Sequence, residues 1–363
     1  MTTSSGGRIW RAVVGVVAGL GLAGALATPA FADPPGPTDY QSEVSSVEPE
    51  TPAIEVGIIG GDSFFEMRVD PGVEAIVVGY EGEDYLWFRP DGVVFENQNS
   101  PATYLNANRY GNDGVPPTAR ADAEPNWEQV STDGYWTWHD HRAHWMQSAR
   151  PFGLEAGDQI LEAVIPIVVD GETVEATVIS TWQPEPSPLA MWLGALGGVV
   201  MAIGVWFLRD RRVPPIGATV PLVALALGVG AAQYTSLPSE TGPRVIWIAL
   251  PVIAAASAGV GLVLATRGRR FAADAALLLV GVELGVWGFV KRDGLTAAII
   301  PTDAPFWIDR FATAAALVGG VLVAAVAVWW LFAVPKSIDA SIDGEDAVSD
   351  SREPSGSPRP AHP

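Results

Sequence analysis

The chain runs to 363 residues, 48% of them hydrophobic and only 17% charged, a balance found in membrane proteins rather than soluble ones. It carries a formal net charge of −20 and no cysteine, which excludes disulfide bridges, thiolate metal ligands and cysteine nucleophiles. The acidity is concentrated between residues 33 and 187, where 28 acidic side chains face six arginines and no lysine, so this segment repels nucleic acid and anionic lipid alike.

Residues 1–32 have the three parts of a secretory signal peptide. Arg8 and Arg11 supply a basic start, residues 13–27 an apolar stretch, and Ala30-Phe31-Ala32 a small-residue cleavage site. The mature chain is then expected to begin at Asp33; an uncleaved anchor helix is the other reading of the same stretch.

Residues 33–182 change character to short alternating runs punctuated by turn residues, which predicts an extracytoplasmic all-β sandwich, immunoglobulin-like or cupredoxin-like. Strands are expected at 54–59, 64–69, 75–80, 85–89 and 93–96, separated by Gly60-Gly61-Asp62, Asp70-Pro71-Gly72, Glu81-Gly82-Glu83 and Pro90-Asp91-Gly92. A long hairpin, 159–169 and 173–182, turns at Asp170-Gly171, with Val174, Ala176, Val178, Ser180 and Trp182 on one face of its second strand. Between these groups lies an irregular insertion, 97–133, rich in Tyr, Trp and Asn. Loops of such length carry function or are disordered, and aromatic content favours order. Asn106, Asn108, Asn112 and Asp113 fit turn chemistry better than a calcium loop, whose spacing they lack.

Three of the four histidines fall in the run Trp138-His139-Asp140-His141-Arg142-Ala143-His144-Trp145-Met146. On an extended strand His139 and His141 share a face about 7 Å apart, with Asp140 and Arg142 opposite, and His144 returns after a break in the alternation. Neutral imidazole suits copper or zinc, and the thioether of Met146 favours copper, so His139, His141, His144 and Met146 form one candidate metal-ligand set. The competing reading is structural, with Trp136, Trp138 and Trp145 as an aromatic core edge and the histidines bonded to carboxylates or to the long loop; a pH-responsive cluster is a third.

The segment Tyr135-Trp136-Thr137-Trp138-His139-Asp140-His141 resembles the aromatic-His-x-His strand of multicopper oxidases, a resemblance that implies copper on both imidazoles. Those oxidases have four His-rich motifs and a cysteine ligand, whereas this chain has one motif and no cysteine, so oxidase activity is not implied. A longer set of segments is similar to uncharacterised exported membrane proteins of high-GC Gram-positive bacteria with a Trp-His-Asp-His-Arg-x-His-Trp-Met motif. These are Gly61-Asp62-Ser63-Phe64, Tyr85-Leu86, the run from Asn99 to Asn106, Arg109-Tyr110-Gly111 and the histidine run. That resemblance implies an anchored extracytoplasmic domain and no particular activity.

After a proline-rich linker, 183–188, hydropathy predicts five transmembrane helices near 189–208, 216–234, 245–265, 271–290 and 311–334, each long enough to cross a hydrocarbon core of about 30 Å. Arg209, Arg211 and Arg212 follow the first span, and Arg267, Arg269 and Arg270 separate the third from the fourth. Both loops are therefore expected in the cytoplasm, with Lys291 and Arg292 as a mild mismatch on the other side. Seven tryptophans, at 192, 206, 247, 287, 307, 329 and 330, are placed as interfacial anchors, and glycines as helix contacts. Within the spans Asp274 and Glu283 are ionisable; Glu283 is the better candidate for an ion or proton path but has no partner at depth, and a compact anchoring bundle is the other reading. The acidic tail, 335–363, is expected to be a disordered cytoplasmic end.

No complete catalytic motif appears: Gly61-Asp62-Ser63 lacks a nucleophile elbow, and His139 and Asp140 are adjacent rather than convergent. The expectation is a non-enzymatic, multi-pass plasma-membrane protein with the lipid bilayer and an envelope protein as partners. Its exported domain either binds or senses a metal, or is a structural or protein-interaction module.

Overall fold

The computed structural model describes residues 35–110, 114–147, 149–209, 214–242 and 244–332; the signal peptide and the acidic tail expected from sequence lie outside them. Ten strands precede the bundle: β1 (Tyr40–Glu48), β2 (Ile54–Ile59), β3 (Phe64–Val69), β4 (Ala75–Val78), β5 (Asp84–Phe88), β6 (Val94–Asn97), β7 (Trp127–Ser131), β8 (Tyr135–Trp138), β9 (Gln159–Val169) and β10 (Glu172–Trp182). They form an antiparallel sandwich of one seven-stranded sheet, in the order β1-β10-β9-β4-β5-β6-β7, and one three-stranded sheet, β2-β3-β8. Alternation decides which faces meet. Phe65, Met67 and Val69 from β3 pack with Ala75, Val77, Leu86 and Phe88 and with Ile165, Ile167, Val174, Ala176 and Val178 in one buried cluster. Each large side chain fully withdrawn from water there stabilises the domain by roughly 1.5–3 kcal/mol. The Asp170-Gly171 turn has both residues at positive φ, 48° and 85°, the twist a two-residue hairpin needs.

Two strands depart from the sequence expectation, and both are edges of the large sheet. The first, β1, has a register shift between Val44 and Ser46, so its half-buried valines, Val44 and Val47, are three residues apart rather than two or four. The second, β7, sits inside the insertion 97–133, as does a short helix, α1 (Pro101–Leu105), whose Ser100 cap accepts the Ala102 N–H. The insertion is thus not irregular throughout.

Five helices long and apolar enough to cross a membrane follow: α2 (Leu189–Phe207), α3 (Val220–Thr235, extended by a 3-10 turn Pro215–Thr219), α4 (Val245–Thr266), α5 (Arg270–Val290) and α6 (Phe306–Phe332). The protein is a multi-pass membrane protein. Small residues bring its helices together: a Cβ on Gly281 of α5 would stand 2.6 Å from the Ala324 nitrogen of α6, and one on Gly198 of α2 the same distance from the Ala315 oxygen. Trp192, Trp206, Trp307 and Trp329 face outward as anchors do, but Trp287 is fully buried and donates to the Trp247 carbonyl at 2.9 Å, and Trp330 is also buried. These two are core, not interface.

The last helix begins five residues ahead of the predicted start because its first turns hold charge rather than meeting water. Lys291, 4% exposed, bonds Asp309 and Gln233 at 2.6 Å each. Arg310 donates to the carbonyls of Gly294, Ala297 and Ala298. Lys291 is therefore half of a neutral buried pair, and the mismatch it posed to the charge rule disappears for that residue.

The same loop carries the β domain. Thr38 and Ile299 exchange two backbone hydrogen bonds, of 3.1 and 2.9 Å, and Asp39 accepts the Ala298 N–H. The 3-10 turn Ser239–Thr241 packs against β8. Alongside the proline-rich linker, these contacts rest the domain on the bundle.

Candidate functional site

The histidine run lies where β8 leaves the small sheet. Strand pairing with β3 ends at Phe65 and Trp138, and from Asp140 the chain turns back on itself, with the Ala143 N–H on the Asp140 carbonyl at 2.8 Å. The driver is the fully buried Asp140 carboxylate. It accepts from Arg142 Nε and Nη2 at 2.8 Å each, from the Arg142 backbone N–H at 3.0 Å and from the Trp138 indole at 3.1 Å. Burial alone would raise this carboxyl, but the Arg142 guanidinium and these bonds hold it below its ordinary range. The extended-strand geometry expected for His139 and His141 is thus overturned: the strand stops at Trp138, and Asp140 and Arg142 bond each other within a turn instead of forming the opposite face of a strand.

Each imidazole then meets a backbone carbonyl. His139 Nδ1 lies 2.7 Å from the Ser63 oxygen, its ring stacked on Phe64 at 4.2 Å. His141 Nε2 lies 3.1 Å from the Asn108 oxygen, and its own N–H donates to the Tyr80 hydroxyl at 2.8 Å. His144 Nε2 lies 2.8 Å from the Arg109 oxygen and 3.0 Å from the Met146 sulfur. A carbonyl only accepts, so those three ring nitrogens carry the protons. Burial pushes the His141 imidazole below its usual range, and burial with the Arg109 charge pushes His144 down to about 3, so both stay neutral near pH 7.

The three rings do cluster, His141 and His144 at 5.4 Å between centroids and His139 and His144 at 6.4 Å. They do not form a coordination sphere: among the described residues no three His, Asp or Glu side chains are disposed to hold an ion. The three nitrogens that donate to carbonyls offer no lone pair to a metal, and the lone pair of each ring is on its other nitrogen. Of those others, His144 Nδ1 is buried and has no hydrogen-bond partner among the described residues.

What His141 and His144 grip is the stretch of the insertion just after α1. Asn106 Oδ1 accepts from Tyr80 Oη at 2.5 Å, Asn108 Oδ1 accepts the Tyr110 N–H at 3.1 Å, and Arg109 Nη2 pairs with the buried Asp62 at 2.6 Å. Turn chemistry, not ion ligation, accounts for these asparagine contacts. A cavity of about 290 Å³ opens beside them, lined by Pro35, Pro37, Ser63, Arg109, Tyr110 and His139. The Ser63 hydroxyl donates to the Gly60 carbonyl, and His139 meets the Ser63 carbonyl instead of that hydroxyl. The turn holding Ser63 also touches the bundle, since Gly61 lies against Thr38 and Ile299.

Sequence reading missed Asp62, Arg109, Tyr80 and Asn106 as partners of the histidine run. Scarcity was the available signal: with six arginines among 28 acids, Arg109 and Arg142 each invite a search for a buried carboxylate. Glu283, 7% exposed, lies on α5 along the stripe that also carries Trp287 and Lys291. No protein-family model, no curated protein and no solved structure matches this chain.

Proposed function

We propose that this protein is a non-catalytic component of the cell envelope whose β domain lies outside the cytoplasm, docked on its own helical bundle, and binds an envelope protein through the histidine-stapled stretch of the insertion. The observation that carries this reading is the spending of His141 and His144 Nε2–H on two successive carbonyls, Asn108 and Arg109. Two adjacent carbonyls anchored from the same side hold the loop in one shape and leave Tyr110, 48% exposed, standing beside the cavity. A preordered loop with an exposed aromatic binds a partner at low entropic cost. Support for this orientation comes from Arg209 and the arginines of 267–270, at the bundle end away from the β domain, since basic loops favour the cytoplasmic side. The C-terminus is then cytoplasmic.

A second reading rests on the buried, unpartnered His144 Nδ1 and on Met146 beside the same ring: capture of a soft ion, copper before zinc. His144 Nδ1 can take an ion while Nε2–H keeps the Arg109 carbonyl, but the Met146 sulfur lies beside Nε2, so ligation by both groups requires the ring or Met146 to turn. Calorimetric titration of the detergent-solubilised full chain with copper(I), copper(II) and zinc separates the two. The interaction reading expects no stoichiometric binding at micromolar metal; one equivalent bound, and lost in His144→Ala, replaces it with the metal reading.

A further inference from the structure

The loop between the histidine run and β9 is rooted at the junction between domain and bundle. Gly157 donates to the Trp182 carbonyl at 2.7 Å and Trp182 donates to the Asp158 carbonyl at 3.0 Å, so the loop closes on the last residue of β10, seven positions before α2 begins at Leu189. Arg150 pairs with Glu185 of the linker at 2.9 Å and lies over the Trp182 ring at 5.5 Å. Arg150 also lines a cleft of about 500 Å³ together with Met191, in the first turn of α2, and with Asp293 and Leu295 of the loop after α5. The root of the loop therefore stands level with the point where the first span enters the bilayer.

The tip is apolar and unprotected by protein. Phe152, 104% exposed, stands between Pro151 and a Gly153 at φ 78° that sharpens the turn, and Leu154, 37% exposed, follows. An aromatic ring held at the height of a membrane interface partitions into it, as Trp192, 66% exposed on the first turn of α2, is placed to do. We propose that Phe152 and Leu154 dip into the lipid leaflet on the β-domain side, giving the domain a second contact with the membrane besides its dock on the bundle. The partner is the lipid interface itself. Glu155 and Asp158 flank the tip, so insertion is driven by apolar burial and does not need anionic headgroups.

The absence of cysteine makes the test direct. Single-cysteine variants of the full chain, Phe152→Cys, Trp192→Cys and Glu172→Cys, are nitroxide-labelled and reconstituted into phosphatidylcholine nanodiscs. Glu172 starts β10 and lies about 33 Å along the strand from Trp182, so it reports water. Collision with oxygen against a nickel chelate is expected to place the label at 152 with that at 192, and the same result is expected when phosphatidylglycerol is added. A label at 152 as accessible to nickel as that at 172 overturns the proposal. Hydrogen exchange of the unlabelled chain guards against the nitroxide dragging the tip down. Slower exchange of the peptide 150–157 in nanodiscs than in detergent with a short polar head supports insertion, and equal exchange overturns it.

Discussion

The core of the β domain is built from large side chains, Phe65, Met67, Leu86 and Phe88, whereas α5 meets α6 where Gly281 leaves its backbone bare. Water drives the first arrangement; in lipid there is no such drive, and close van der Waals approach replaces it. The same substitution therefore has opposite meaning in the two halves. Removing volume hurts the domain and adding volume hurts the bundle. Charge shows a parallel contrast of place rather than principle. Asp140 with Arg142 shapes a turn of the domain, while Lys291 with Asp309 closes the bundle end that receives it.

The largest expected effect comes from breaking a buried pair on one side only. Asp309→Ala leaves Lys291 charged among Trp247 and Trp287, and should cost about 3–5 kcal/mol in thermal unfolding of the solubilised protein. The double variant Lys291→Met, Asp309→Leu should recover most of that loss; no recovery would mean that the pair holds the end by more than its charge. Next come the two volume changes. Phe65→Ala should lower domain stability by about 3–5 kcal/mol, and Gly281→Val should cost about 1–3 kcal/mol or more in the bundle while leaving the domain transition in place. Equal loss of both transitions in either variant would show that the halves unfold as one.

Acidification gives a graded effect confined to the domain. His144 is held neutral down to about pH 3 by burial and the Arg109 charge, while the unfolded chain takes up that proton near 6.5. The stabilisation is full above about 6.5 and falls as pH drops toward 3, by at most ~1.4 kcal/mol per pH unit for this group. A His144→Phe variant should have a flatter stability profile across that window than wild type. The smallest effect is expected from His141→Ala, half-buried and giving up one hydrogen bond to the Asn108 carbonyl, at about 1 kcal/mol.

What could be read in the sequence divides along the same physical lines. Central strands such as β3, β9 and β10 bury alternate residues, so period two survives in the residue string. Edge strands do not: β1 buries little beyond Ser42, Val44 and Val47 and slips register in the middle, and β7 is masked inside a loop-like composition. All five spans were legible because lipid demands long apolar runs, and only the start of α6 was misplaced, since Asp309 and Arg310 read as water-facing until Lys291 and the loop carbonyls are seen around them. The histidine run stood out as a cluster from composition alone. Its geometry did not, because it depends on Asp62, Tyr80 and Asn108, between 31 and 82 residues away from its histidines, and on a carboxylate, Asp140, that bends the chain rather than leaving it extended.

The central claim is that His141 and His144 staple the stretch after α1 by hydrogen bonds, without an ion. Hydrogen exchange of the peptide covering Asn106 to Tyr110, measured on metal-free protein in wild type and in His141→Ala with His144→Ala, tests it most directly. Protection without metal, lost in the double variant and unchanged when copper or zinc is added to wild type, is the predicted result. A loop that exchanges freely in the metal-free wild type and becomes protected only on adding one equivalent of metal would contradict it.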